Sequence, residues 1–263
     1  MAGDGKFTYR DGIAVAQVVA FSAPLLFAVY SKYTRRIGWF CIGVFSLLRL
    51  IGASCKLATI NNDSRGLSAA IFVCESLGMI LITFLLLEML ERINKTVTVT
   101  VKRIFWVPYV ITWIDIGISI GGWVSVMHVE NPLAPTSWSQ ASISLLAVIY
   151  LYFVGVFVLF WLRKAEYFEE ERWALAGVAF CVPLLAVRVV YSLIFIITGN
   201  MAFSTMKGNP TAYLTMTMLP EVAIIAACTY IIATRISPLV EGKNKSQQGN
   251  GDEESQRRLS IET

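Results

Sequence analysis

Residues 173–198 read WALAGVAFCVPLLAVRVVYSLIFIIT, twenty-six residues of which one, Arg188, is charged. A bilayer-spanning helix needs ~20 consecutive apolar residues. A soluble helix of this length would carry polar positions at helical spacing along one face. The stretch therefore reads as a membrane span with one charge in it to explain. Outward from it, six further blocks have the same character, and spans fall at 12–31, 38–59, 67–90, 104–127, 138–162, 173–198 and 212–236. None shows the strict alternation of a membrane β-barrel strand. The fold class is all-α membrane, a seven-transmembrane helix bundle.

Composition agrees. The chain has 263 residues, 56% hydrophobic and 15% charged, with a mean hydropathy of +0.63, whereas soluble domains carry roughly a quarter charged residues. Residues 1–11 are polar and read as an N-tail, and 12–236 as the transmembrane domain. The first block is long enough to stay in the membrane, which predicts no cleavable signal peptide. Residues 237–263, which include GKNKSQQGNGDEESQRR, are too poor in apolar side chains to fold and are expected to form a disordered tail.

Lysine and arginine set the orientation. Fifteen lie on one side, among them Lys32, Arg35, Arg36, Arg92, Lys95, Lys102, Arg103, Arg163, Lys164, Arg172 and Arg235, with four more in the tail. Four lie on the other, Lys6, Arg10, Arg65 and Lys207, and three lie within spans. The C-terminal side is thus expected to be cytosolic and, with seven spans, the N-terminus outside. Trp39, Trp106, Trp161 and Trp173 near inner ends and Trp123 and Trp138 near outer ends fit an interfacial belt. The membrane itself, plasma membrane or endomembrane, is left open.

Six ionisable residues sit well inside spans: Arg49, Lys56, Glu75, Asp115, Arg188 and Glu221. Each costs ~2.5–3.5 kcal/mol at a helix centre, so such residues face the bundle interior and pair. Three are basic and three acidic, all at mid-depth or in the outer half, and the expectation is that they meet in one layer. Ser46, Arg49, Ala53 and Lys56 share one helix face, as do Thr112, Asp115 and Ser119. Tyr191 and Ser192 follow Arg188, and Pro183 and Pro220 precede the two late charges, where kinks shape cavities. The cluster Arg49, Lys56, Glu75, Asp115, Arg188, Tyr191 and Glu221 is the candidate ligand site. Buried ion pairs that only fix helix register are the competing explanation.

Spans two and six overlay with Arg49 on Arg188, Gly38 on Gly177, Thr59 on Thr198 and Asn61 on Asn200. A glutamate-bearing helix follows each, carrying Glu75 or Glu221. Spans one to three and five to seven run the same way, a parallel 3+1+3 plan of the kind transporters use.

Enzyme chemistry is poorly supplied, and no catalytic residue, cofactor or metal is expected. The single histidine, His128, cannot build a zinc site that needs several ligands. Span seven has no lysine for a retinal Schiff base. The cysteines Cys41, Cys55, Cys74, Cys181 and Cys228 lie in apolar blocks without ligand spacing and read as packing residues. Glu91-Arg92 at the end of span three is similar to the acidic-Arg pair of G-protein-coupled receptors, but an ordinary charged helix end is the better explanation, since positive residues belong there. Gly117 and Gly121 suggest close helix packing. Asn62-Asp63-Ser64 is a glycosylation sequon in a tight loop, and Ser260 in RRLS is a candidate phosphorylation site.

The stretches FSLLRLIGASCKLATI, CESLGMILITFLLLEMLERIN, FCVPLLAVRVVYSLI and EVAIIAACTYIIA resemble a fungal seven-span membrane family catalogued only as a domain of unknown function. The likeness covers all seven spans and leaves out both tails. The marks of that family correspond to Arg49, Glu75, Arg188 with Tyr191, and Glu221. The resemblance implies a fungal source and a membrane fold. A looser similarity runs to fungal lipid-translocating-exporter-like proteins, also seven-span with an Arg-x-x-Tyr in a late helix.

Three functions are then in view: a receptor-like or sensory protein whose buried charges bind a small or amphiphilic ligand, a secondary transporter or lipid translocator using the carboxylates, and a membrane scaffold without ligand. The expected partners are the lipid bilayer, that ligand, and a cytosolic protein at the loops and tail. Basic residues spread over several loops, rather than gathered in one patch, give no nucleic-acid signal.

Overall fold

The structure, a computed structural model, describes residues 8–60, 64–96, 100–101, 103–126, 137–199 and 208–235. Among them are seven long helices and no strand: α1 (Tyr9–Tyr33), α2 (Trp39–Ala58), α3 (Arg65–Thr96), α4 (Arg103–Val126), α5 (Ser137–Leu162), α6 (Glu169–Thr198) and α7 (Pro210–Thr234). A single 3₁₀ turn, Lys164–Glu166, lies between α5 and α6. Six of the seven, α1–α3 and α5–α7, have described residues long and apolar enough to cross a membrane. This is the build of an integral membrane protein. His128, Asn61, Asn62, Asn200, Ser260 and the tail 237–263 lie outside the described residues.

Helix ends differ from the apolar blocks where polar residues extend a helix past the oil. α1 begins at Tyr9, inside the stretch read as N-tail, because the Asp11 carboxylate accepts bonds from the Thr8 backbone N–H at 2.7 Å and the Thr8 hydroxyl at 2.6 Å. α6 begins at Glu169, ahead of the apolar block. Its first turn carries Glu169, Glu170 and Glu171, which favour the positive end of the helix dipole. α3 runs to Thr96, where the Asn94 amide exchanges two 2.9 Å hydrogen bonds with the backbone of Thr100.

Helices adjacent in sequence pack together except α3 with α4, whose contact is slight; α3 also touches α5 and α6, and α7 touches α1 and α6. α3 is the most enclosed of the candidate spans. One core cluster runs through the bundle, with Phe21, Phe45, Leu86, Phe160, Val178 and Ile232 all buried. Large apolar side chains such as Leu26, Trp106, Leu151 and Ile197 point outward instead. A water-exposed surface would not tolerate so many, whereas lipid does.

One end of the bundle collects Lys32, Arg36, Arg92, Lys164 and Arg235, and is called the basic end. Gly38, the N-cap of α2, has φ +73°, and a Cβ there would sit 2.8 Å from Leu85 Cδ1 and 3.1 Å from Ile232 Cδ1. The left-handed backbone favours glycine, and any side chain there would make the ends of Leu85 and Ile232 shift. Its N–H donates to Glu88 at 3.2 Å. Arg36 donates to the last carbonyls of α7, Ile232 at 2.5 Å and Ala233 at 2.9 Å, which otherwise lack partners at a helix end. Three cation–π contacts, Lys32 on Trp39, Lys164 on Trp161 and Arg235 on Trp173, decorate the same end.

Candidate functional site

Arg49, Glu75, Arg188 and Glu221 lie nine to eleven residues from the helix ends opposite the basic end. At 1.5 Å per residue that is one layer ~15 Å deep. Four helices bring them together. Arg49 Nη1 is 2.7 Å from Glu75 Oε2, and Arg188 Nη2 is 2.7 Å from the same oxygen. Glu221 Oε1 accepts from Arg188 Nε at 3.0 Å and from Arg49 Nη2. The four close into a ring in which arginine and glutamate alternate: α2, α3, α6, α7. All four are buried, Glu221 completely.

Local sequence explains the fit. Gly78 lies one turn after Glu75, and a Cβ there would meet Arg49 Nη2 at 3.0 Å, so the missing side chain is the slot for the guanidinium. Arg188 Nη1 donates to Ser192 at 3.1 Å, one turn along the same helix. Phe45, one turn before Arg49, offers its ring at 5.4 Å. Two of the four matched pairs of spans two and six occupy like settings. Arg49 and Arg188 share the same two carboxylates, and Gly38 and Gly177 both approach α7, at Ile232 and Ile231.

Tyr213 was missed in the sequence, and its position shows why. It donates to Glu75 Oε1 at 2.6 Å and accepts from Gln17 Nε2 at 2.8 Å, tying α1 to the ring. At about 100° per residue, two α-helical positions eight apart are about 80° out of line. Tyr213 and Glu221 are eight apart, yet both face the ring. The segment Leu214–Met218 between them is π-helical, with the Leu219 N–H bonded to the Leu214 carbonyl. That wider turn unwinds the helix and removes much of the offset. Pro220 has no N–H for the carbonyl four residues back, which is the local cue for the widening.

The remaining candidates fall around the ring. Lys56 is buried with its ammonium 4.0 Å from the centre of the Tyr213 ring, nearer the helix ends than the ring itself. It makes no ion pair among the described residues. Tyr191 is fully buried within electrostatic reach of Arg188, Glu75 and Arg10. Asp115 corrects the expectation that all six charges meet. It lies at the same depth, eleven residues from Val126, but bonds Ser142 of α5. The reason is packing: α4 lies mainly against α5 and only lightly against α3, away from α2, α6 and α7. Glu221 Oε2, Thr217 Oγ1, Ser46 Oγ and Asp115 Oδ1 are buried with no hydrogen-bond partner among the described residues.

Secondary motifs resolve simply. Glu91 pairs with Lys95 at 3.0 Å, and Arg92 lies 4.0 Å from Glu170 on the first turn of α6. Added Cβ atoms on Gly117 and Gly121 would meet nothing within 4 Å among the described residues. The five cysteines are free thiols, four of them buried; Cys181 and Cys228 sulfurs lie 3.9 Å apart. No group of three metal-ligating side chains occurs among the described residues.

No curated protein and no solved structure matches the chain. A family model described as "Domain of unknown function (DUF7702)" matches residues 7–235, the stretch that contains all seven helices and every residue of the ring, and the chain belongs to that family.

Proposed function

We propose that this is a seven-span, receptor-like membrane protein, N-terminus outside and C-terminus cytosolic, that receives a small or amphiphilic ligand at the outer edge of its charge ring. α4, at 24 residues, is the seventh span. The positive-inside asymmetry supports the orientation, and the resemblance noted above is the support for a fungal membrane. The two halves, α1–α3 and α5–α7, form a parallel repeat about α4 and meet at the ring. A ligand that competes for one arginine or one glutamate would loosen that junction and pass a signal to the basic end along α3 and α6.

The observation that carries this reading is what the ring leaves over. A scaffold built only for register would satisfy its own buried polar atoms. Here the Lys56 ammonium has no ion-pair partner, and Glu221 Oε2 and Thr217 Oγ1 have no hydrogen-bond partner, among the described residues. The test is mass spectrometry of the protein extracted gently from native membranes, paired with labelling of the cytosolic tail. A co-purifying small molecule whose removal changes tail accessibility is expected. A clean spectrum with an unresponsive tail would sink the sensory reading.

A secondary transporter or lipid translocator is the second reading, favoured by the parallel repeat and by the two carboxylates shared between its halves. Proteoliposome flux that depends on a proton gradient would select it over the receptor. Neither reading assigns the protein a reaction, a cofactor or a metal.

A further inference from the structure

The charges around Tyr213 do not balance. Among the described residues seven ionisable groups gather there: Arg10, Arg49, Lys56 and Arg188 against Asp11, Glu75 and Glu221. Each carboxylate is already engaged. Both contacts of Asp11 go to Thr8. Glu75 spends one oxygen on Tyr213 and the other on two guanidinium groups, and Glu221 gives Oε1 to the same two arginines. Arg10 donates to the Gly208 carbonyl. Lys56 is left: 6% exposed, its ammonium held 4.0 Å over an aromatic face, with Glu75 and Asp11 within electrostatic reach but no carboxylate in ion-pair contact among the described residues. A buried charge is retained when it is matched. Among the described residues one positive charge is in surplus, and it sits only two residues from the end of α2.

We infer that Lys56 is the anchor of a binding site for one monovalent carboxylate. This rests on the proposed function and names the chemistry of its ligand. A single surplus charge calls for a single negative charge. Phosphate groups favour arginine forks or helix N-termini; the forks of Arg49 and Arg188 are committed to glutamates, and Arg10 is engaged by the Gly208 carbonyl. A carboxylate needs no more than an ammonium and water. The Tyr213 ring holds that ammonium in place, because its hydroxyl is fixed between Gln17 and Glu75. The carboxylate reaches Lys56 either as the head of a fatty acid in the outer leaflet or as a small anion from water. A groove of about 460 Å³ at the same end of the bundle, lined by Thr8, Tyr9, Gly12, Ile13, Ala16 and Leu214, offers an acyl chain a surface. Two of its residues, Ile13 and Leu214, pack with Tyr213.

The test uses the full chain in phosphatidylcholine nanodiscs, with oleate and acetate as probes and native mass spectrometry plus thermal unfolding as readouts. Oleate is expected to bind one to one and to raise the unfolding temperature. Lys56→Met should weaken it at least tenfold, and Lys56→Arg should keep most of the affinity. Protection by oleate alone assigns a membrane-borne ligand, and protection by acetate as well assigns a water-borne one. Without any carboxylate, Lys56→Met should unfold at a higher temperature than the parent, because it removes an unmatched charge. A lower temperature would show that the chain itself satisfies Lys56 and would overturn the inference. So would undiminished oleate binding by Lys56→Met, or no binding of either probe by the folded parent. Those outcomes leave a native ligand elsewhere on the ring untouched. That broader reading fails only if native extracts yield no ligand and the tail does not respond.

Discussion

Removing Arg188 should cost far more than removing Arg188 and Glu221 together. In Arg188→Met the ring keeps one guanidinium, Arg49, against two buried carboxylates. Glu75 Oε2 and Glu221 Oε1 each lose one of two charge-assisted contacts, at 2.7 and 3.0 Å. Stranding a buried charge costs about 3–5 kcal/mol, a large part of a typical stability of about 5–15 kcal/mol. For a chain of this size the unfolding temperature should fall by on the order of 10 °C. Glu221→Leu alone should cost a similar amount, because Arg49 and Arg188 then share only Glu75. The double variant leaves Arg49 Nη1 and Glu75 Oε2 as a matched pair at 2.7 Å, with apolar volume where the second pair stood. Its stability should return to within about 1–2 kcal/mol of the parent. The thermal unfolding of all four proteins in nanodiscs, followed by the fluorescence of the seven tryptophans, gives the coupling directly. Additivity of the two single losses to within about 0.5 kcal/mol would show that the two side chains do not share a site.

Three further outcomes follow from particular contacts. Tyr213→Phe removes a hydroxyl that donates to an ionised carboxylate and accepts from Gln17. A loss of about 1.5–3 kcal/mol is expected by the same unfolding assay; no loss would mean the hydroxyl is replaced by water. Gly38→Ala must place a Cβ 2.8 Å from Leu85 in a left-handed backbone, so destabilisation of about 1–3 kcal/mol should be measured, and a neutral substitution would contradict the close approach of α2, α3 and α7. Reporter tags on the two termini of the intact cell's protein should show the C-terminus in the cytosol and the N-terminus protected from it; the reverse would overturn the orientation.

The helices were legible because lipid imposes length and apolarity directly on sequence. The charge within WALAGVAFCVPLLAVRVVYSLIFIIT likewise announced that its face turned inward, since Arg188 has nowhere else to go. Four of the six charges met as their depth and face implied. Lys56 lies nearer the end of α2, over the Tyr213 ring, and Asp115 did not join because depth is a property of one helix whereas meeting depends on which helices are neighbours. α4 gives Asp115 a hydroxyl from Ser142 and so a separate setting. Tyr213 was hidden for another reason. Helical periodicity sets it off the face of Glu221, and only the π-turn at Leu214–Met218 brings it round. Gln17, a polar residue in the middle of AVAQVVAF, carried a visible signal, but its partner lies 196 residues away, and spacing along one helix does not show it.

The bundle interior holds a closed ring in which Arg49 and Arg188 each pair with both Glu75 and Glu221, and these pairings require both carboxylates to be ionised. Infrared difference spectroscopy of the parent against Glu75→Gln and against Glu221→Gln measures this most directly, because carboxylate and carboxylic acid absorb in separate bands. Each substitution should remove the bands of an ionised carboxylate that are insensitive to salt and to moderate changes of bulk pH. Loss of a protonated carboxyl band from either variant would contradict the ring.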